Sequence, residues 1–377
     1  MIVSDFLEAI GSDFFVGVPD SQLKALCDYL ICNYGTNPKH HVIAANEGNA
    51  AAMAAGYNLS TGKVPVVYMQ NSGEGNVVNP VASLLNDNVY AIPVIFIIGW
   101  RGEPGVKDEP QHVYQGKVTL KLLEDLNIEY VIVGPDTDKQ DIQKVMKESF
   151  ESKLKNGKQV AFVIKKTALS YDLKPTYSNQ FSMSREDVLK HIVNATGQSP
   201  IVCTTGKASR ELFEIRENAA QGHMYDFLTV GSMGHCSSIA FSIAVNKPNT
   251  KVWCIDGDGS AIMHLGAMAI IGANKQNNMV HIVLNNSAHD TVGGMPTVGS
   301  SIDWVMLARS CGYSYCASVN NYYDLDKELE QVKSKNELCF IEIKCILGAR
   351  TDLGRPTNTP MENKNLFSDY IKNVEVL

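Results

Sequence analysis

The chain predicts an α/β protein made of two similar doubly wound parallel-sheet domains, and three observations carry that prediction. Short β-branched and aromatic runs alternate with longer helical patterns, the pattern of βαβ units in a parallel sheet. The 377 residues exceed one ordinary core, since domains run to about 100–200 residues. The pattern also recurs: a constant shift of 187 (234 − 47, and 258 − 71) lays Glu47 on Gly234 and Asn71 on Asp258. That match runs without a gap over 14–98, setting "FFVGVPDSQLKAL" nearly in register with "IVCTTGKASREL" and "VIFII" over "HIVLN".

In the first half, strands are expected at "DFFVGV", "HVIAA", "VPVVYMQ", "VIFIIG", "EYVIVG" and "QVAFVIKK". In the second they are expected at "PIVCTT", "FLTVGS", "KVWCID", "HIVLNN" and "CFIEIKC". A polar stretch carrying Pro175, residues 171–183, is expected to link a domain over 1–170 to a domain over 184–377. "SREDVLKHIV" then opens a helix, with a Ser cap and an acidic first turn.

Composition narrows the function classes. The chain is 45% hydrophobic and 19% charged with a net charge of −7, and it has no basic block of the kind that binds nucleic acid or an anionic membrane. Its opening, "MIVSDFLEAIGSDFFVGVPD", lacks the basic start and long apolar run of a secretory signal, and no apolar run nears about 18 residues, so a cytoplasmic protein is expected. Nine cysteines form no CxxC, and Cys203, Cys254 and Cys339 lie in strand-like apolar runs, where reduced, buried thiols are expected rather than a disulfide or zinc framework. The nine histidines are scattered, with only His40 and His41 adjacent, which gives a histidine metal site little support.

The chemistry is sought in "WCIDGDGSAIMHLGA", residues 253–267: a strand, a turn "DGDGS" and a helix from about Ala261. The next strand ends in "NN" and runs on into "SAHDTVGGMPTVGS". Both turns fall at the carboxyl ends of parallel strands, the edge where α/β sheets bind ligands, so Asp258 and Asn286 can meet. A dinucleotide turn, as in a nucleotide-binding oxidoreductase or regulatory module, wants G-x-G-x-x-G. Here the third glycine is missing and Asp258 would repel a diphosphate. A divalent cation reverses that sign, because hard Mg²⁺ takes carboxylate, amide and carbonyl oxygens while bridging to phosphate.

"GDGS" followed by a helix, a strand and "NN" resembles the thiamine-diphosphate motif, and the chain is similar to the thiamine-diphosphate-dependent decarboxylases. The resemblance implies the thiamine-diphosphate-binding fold, with a pyrimidine-binding first domain and a diphosphate-binding second one. It implies that Asp258, the Asn286 side chain (taken over Asn285) and the Ala288 carbonyl hold Mg²⁺ against the cofactor's diphosphate, beside Gly257, Gly259 and Ser260. It places a glutamate near the start of a small-residue helix in the other domain, and "VIAANEGNAAAMAAGYNLSTG" supplies Glu47, which would share a proton with the pyrimidine nitrogen N1′. Alanine-rich surroundings are expected to raise that carboxyl's pKa. "FLTVGSMGHCSSIAFSIA" resembles the family's glycine loop: the Gly231 carbonyl would accept from the 4′-amino group, Met233 would wedge the cofactor bent, and Ser232, Gly234 and His235 would lie near it. Asn71, which the repeat lays on Asp258, joins the cofactor contacts.

Family members commonly carry a third, central domain, for which this chain has no room. "GVPDS", "MQNSGEGNVVNP", "GWRGEPGVKDEPQHVYQGK", "TTGKASREL" and "NNSAHDTVGGMPT" resemble the phosphonopyruvate decarboxylases, with sulfopyruvate decarboxylases or another short 2-oxo acid decarboxylase as the alternative. The resemblance implies loss of CO₂ from phosphonopyruvate to give phosphonoacetaldehyde. Arg101 and Lys107 are the candidates to hold the phosphonate, joined by Lys117, Lys207 and Arg210. For the later proton transfers Asp20 stands first, then His112 and His289. In the family the site forms between subunits, so a homo-oligomer is implied.

Overall fold

The computed structural model describes residues 1–374, so the last three residues of the expected second domain, 375–377, lie outside the described residues. The chain divides into two units, Met1–Thr176 and Tyr177–Leu377. In the first, parallel strands β1 (Phe15–Gly17), β2 (His41–Ile43), β3 (Val66–Gln70), β4 (Ile95–Gly99), β5 (Glu129–Val133) and β6 (Val160–Ile164) line up as β2-β1-β3-β4-β6-β5. The second contains β7 (Ile201–Cys203), β8 (Asp226–Leu228), β9 (Val252–Gly257), β10 (Met279–Asn285), a small hairpin of β11 (Ala288–His289) and β12 (Met295–Pro296), then β13 (Tyr315–Val319) and β14 (Cys339–Lys344). Its parallel sheet runs β13-β14-β10-β9-β7-β8.

Taken from its other edge, the second order is β8-β7-β9-β10-β14-β13, so each strand of one sheet has a counterpart at the same place in the other. The shift of 187 carries β3 from 66–70 to 253–257, against an observed Val252–Gly257. It carries β5 from 129–133 to 316–320, against Tyr315–Val319. Strand β13 was not among the expected ones. It lies at a sheet edge, with Tyr315 and Ala317 half-buried and Ser318 exposed, so it lacks the apolar run that marks a central strand.

Helices on both faces bury the central strands. Trp253 and Ile255 pack into one core while Cys254 and Val283 pack into the other, following the period-two alternation of strand side chains. Each fully buried aliphatic side chain contributes roughly 1.5–3 kcal/mol. All nine cysteines are free, and burial pushes the thiols of Cys236 and Cys254 up, so they stay protonated in the core. The Ser184 hydroxyl caps the helix Arg185–Thr196 by accepting from Asp187 N at 3.1 Å. Among the described residues no helix is long and apolar enough to cross a membrane.

Beyond β3 and β4 the chain is tied down by buried amides. Asn71 Nδ2 donates to Arg101 O and Thr119 Oγ1, both at 2.8 Å, and its Oδ1 accepts from Arg101 N at 3.2 Å. Gln115 Nε2 donates to Asn71 O at 2.9 Å and approaches Glu74 Oε2 at 3.4 Å. Glu74 is itself buried, with Oε1 lacking a partner among the described residues. Burial pushes its carboxyl up to about 8 from an ordinary 4.5, and its neutral partners Thr119 and Gln115 offset only part of that. Between those two values the unfolded chain has released a proton that the folded chain keeps, so stability falls as pH rises through that window. Glu74→Gln, which keeps the shape and cannot ionise, should melt with the wild type near pH 4.5 and about 5 °C above it at pH 8. Equal melting temperatures at pH 8 would show that Glu74 is not held neutral.

Candidate active site

In the second unit the site is built on the ends of β8, β9 and β10. The helix Asp258–Met263 begins at Asp258 itself, ahead of the expected start near Ala261. The reason is local: the Asp258 carboxylate accepts from the backbone N–H groups of Asn286, Gly259 and Asp258, which draws the turn into helical form. The Thr297 hydroxyl also donates to Oδ2. Asp258 is only 2% exposed, and burial pushes it up to about 6 despite these donors. Gly299 closes the cradle: a Cβ there would come within 2.5 Å of Asp258 Oδ2 and 2.8 Å of Asn285 Oδ1.

The two asparagines differ in what they leave open. Asn285 donates to Gly299 O at 3.1 Å and Glu342 Oε1 at 2.7 Å while its Oδ1 accepts from Ser287 N at 3.0 Å, so its amide is engaged at both ends. Asn286 Oδ1 accepts from Ala288 N at 3.1 Å, and its Nδ2 has no partner among the described residues. Asn179, in the stretch expected as a linker, donates to Asn286 O at 3.0 Å and Cys345 O at 2.9 Å and so orients this loop.

Gly231, Ser232 and Gly234 all have left-handed φ, at 67°, 43° and 87°. Holding a non-glycine there costs roughly 1–2 kcal/mol, and such strain gathers at functional sites. Ser260 joins this loop to the "GDGS" turn: its Oγ accepts from Gly234 N and from Thr204 Oγ1, both at 3.0 Å. Met233 and His289 meet over Gly259, where a Cβ would lie 3.4 Å from Met233 Cε and 3.3 Å from His289 Nδ1. Burial lowers His289 to about 4, so its ring is neutral. His235 and His264 sit with ring centroids 4.3 Å apart, and Gly257 N donates to Asp256 Oδ1 at 2.9 Å. The Lys207 ammonium is 3.2 Å from Asp290, which also binds Arg185, and Arg210 is half-buried.

In the first unit Glu47 is the first residue of the helix Glu47–Thr61, capped by Asn46, whose Oδ1 accepts from Asn49 N at 2.9 Å. Glu47 is 5% exposed, and burial raises its carboxyl while Asn76, donating from Nδ2 to Oε2 at 2.7 Å, lowers it. Asp20, past the end of β1, is buried with Oδ1 lacking a partner among the described residues, and Gln22 N donates to its Oδ2 at 3.1 Å. Burial raises it to about 7, with backbone donors and Arg101 pulling the other way.

The expected anion-binding cations are less open than their charges suggest. Asp108 takes Arg101 Nε at 2.8 Å and Nη2 at 2.5 Å, and Nη1 donates to Ser21 Oγ at 2.9 Å. Lys107 and Lys117 are exposed, and His112 is half-buried near the start of the helix Pro110–Asp125. Asn71 has its amide engaged by Arg101 and Thr119, which makes it a strut of the sheet edge. Sequence reasoning had not singled out Asn76, Glu74, Thr297 or Asn179. For Asn76 and Glu74 the available signal was their place in "MQNSGEGNVVNP", directly after a strand.

Comparison with known proteins bears on this geometry. Residues 1–123 match the family model "Thiamine pyrophosphate enzyme, N-terminal TPP binding domain", and residues 204–343 match "Thiamine pyrophosphate enzyme, C-terminal TPP binding domain". The chain is 31% identical to a phosphonopyruvate decarboxylase of Streptomyces viridochromogenes, over 97% of this chain and 93% of that one. It is 30% identical to a phosphonopyruvate decarboxylase of Streptomyces hygroscopicus, over 97% and 92%. A sulfopyruvate decarboxylase of Methanosarcina acetivorans is 26% identical over 90% of this chain and 89% of its own. Matched at both ends by the family's two cofactor-binding domains, the chain belongs to the thiamine pyrophosphate enzymes and is one of their keto-acid decarboxylases.

Proposed function

We propose that the chain decarboxylates 3-phosphonopyruvate without oxidation, to phosphonoacetaldehyde and CO₂, using thiamine diphosphate held through Mg²⁺. The observation that carries the substrate is the 31% identity to a phosphonopyruvate decarboxylase across 97% of the chain. The second reading, sulfopyruvate, is favoured by the 26% identity to an enzyme of that name, and the two substrates differ only in which tetrahedral anion they carry. The cofactor, when bound, supplies the electron sink that takes up the pair left behind by CO₂.

The chain's own groups divide the remaining work. Asp258, the Asn286 side chain and the Ala288 carbonyl would hold Mg²⁺, and a buried carboxylate raised by desolvation gains most from a neighbouring cation. Gly231, Ser232, Met233, Gly234 and His235 would seat the cofactor beside Gly257, Gly259 and Ser260, with Asn71 steadying the opposite half of the fold's equipment. Glu47 would exchange a proton with the pyrimidine nitrogen N1′. Net, the carbon that loses CO₂ gains one proton. Asp20, buried with one oxygen unpartnered among the described residues, is the group we assign to deliver it, ahead of His112 and His289. Of the candidate cations, Arg101 and Lys207 already pair with carboxylates, so Arg101 would hold the phosphonate, beside Lys107, only in competition with Asp108. The reading includes a homo-oligomer with sites formed between subunits, in the cytoplasm, where nine unpaired thiols stay reduced.

Steady-state kinetics should give kcat/KM at least about tenfold higher for 3-phosphonopyruvate than for 3-sulfopyruvate, a difference of about 1.4 kcal/mol. The reverse order would assign the chain to the second reading. Asp258→Ala should weaken Mg²⁺-dependent binding of thiamine diphosphate by at least about a hundredfold in calorimetry, and binding at wild-type strength would remove the metal role. Asp20 acts as an acid only while protonated, so wild-type activity should decline as pH rises past about 7. Asp20→Asn should lower kcat by roughly 10²–10⁴ and abolish that limb; a variant with unchanged rate would exclude Asp20.

A further inference from the structure

The segment Gly73-Glu74-Gly75-Asn76 folds around the Glu47 carboxyl, and two of its residues touch it. Asn76 Nδ2 donates to Oε2 at 2.7 Å. The other oxygen, Oε1, lies over Gly73, where a Cβ would fall 2.4 Å from Oε1 and 2.5 Å from Cδ. Gly73 has φ −75° and ψ −12°, which any residue adopts, so space for the carboxylate is what requires glycine there. We propose that Asn76 is a positioning residue that fixes the orientation of the Glu47 carboxylate and decides which of its oxygens is offered to a partner. This inference rests on the reading of Glu47 given above.

The bond is selective. Among the described residues, Asn76 is the donor to this side chain apart from Glu47's own backbone N–H. Asn76 is exposed while Glu47 is buried, so core packing does not account for the amide's direction. Its backbone is held from the other side, because Glu74 opens the same helix, Glu74–Pro80, and turns inward to Gln115 and Thr119. A neutral amide also suits a group that gives and takes a proton. It favours the ionised form by one hydrogen bond, whereas an adjacent cation would lock the carboxylate. Charged neighbours do not share the task. The elements packed most closely on the helix Glu47–Thr61 are β1, β3, the helix Glu74–Pro80 and the helical turn Val81–Leu85. Their titratable groups are Tyr68, bonded to His41 at 2.9 Å, and Glu74, which faces the other way.

The test uses the full chain and three sets of variants. In the cofactor-free protein, infrared difference titration isolates the Glu47 carboxyl as the band missing from Glu47→Gln. Asn76→Ala should move its titration up by about one pH unit, a tenfold change in proton affinity, and the isosteric Asn76→Asp further still. With thiamine diphosphate and Mg²⁺ bound, hydrogen–deuterium exchange at the cofactor's C2 should slow at least about tenfold in both variants, and also in Gly73→Ala, which displaces the carboxyl without straining the backbone. A titration and an exchange rate unchanged in the Asn76 variants, with Glu47→Gln slow, would overturn this inference and leave Glu47 in place. So would a lowered melting temperature with the titration unmoved, since that marks a purely structural bond. Wild-type exchange in Glu47→Gln would instead sink the reading of Glu47 itself.

Discussion

Carboxyl groups withdrawn from water at the carboxyl edges of parallel strands are what the rest of this structure is arranged around. Asp20 follows β1, Glu47 follows β2, Glu74 follows β3 and Asp258 follows β9, and all four are buried. An ionised carboxylate buried without partners costs several kcal/mol, so each must find donors, hold its proton, or await a cation. The surrounding sequence answers case by case: Gln22 N for Asp20, Asn76 for Glu47, Gln115 and Thr119 for Glu74, Thr297 and backbone amides for Asp258. Glycine lies against Glu47 at Gly73 and against Asp258 at Gly299, because a side chain there would occupy the carboxylate's place.

The duplicated frame lets the two units offer complementary chemistry from matching positions. After the third strand of the first unit comes Asn71, an amide used up in tying the sheet edge; the matching position after β9 is Asp258, a carboxylate. After β2 comes Glu47; the matching position after β8 is Gly234, in a left-handed loop whose N–H is bound to Ser260. One topology thus presents a carboxyl among small apolar residues in one copy and a buried carboxylate beside a left-handed glycine loop in the other. Loops at strand ends can differ in this way without disturbing the cores.

The fold was legible because its signals are local and repeated. Central strands are buried on both faces and read as apolar runs, and the shift of 187 transfers the arrangement of one sheet onto the other. Strand β13 escaped because an edge strand keeps polar residues, although the same shift points at it from β5. At the site, Glu47 and Asp258 stood out as acids set among alanine and glycine. Their partners did not, because hydrogen bonds join residues far apart in sequence: 29 residues from Asn76 to Glu47, 39 from Thr297 to Asp258, 107 from Asn179 to Asn286. Charge was the poorest guide. Arg101 reads as a free cation until the fold brings Asp108 against it in a two-pronged pair.

The two central carboxylates also differ in environment, in a way that fits the different duties proposed for them. Asp258 is met by a hydroxyl and three backbone N–H groups, which cannot leave, rotate away or titrate. Such a shell offsets part of the cost of burial, which still raises the carboxyl to about 6, and the proposed divalent cation would relieve the rest. Glu47 has one side-chain donor, on a short helix at the surface, and its other oxygen rests on bare glycine. Burial with so few donors holds its carboxyl above the ordinary range, which suits the proton exchange proposed for it. Under the proposed roles, exchanging the two shells would work against both: more fixed donors would favour an ionised Glu47, and a lone amide would leave Asp258 raised further.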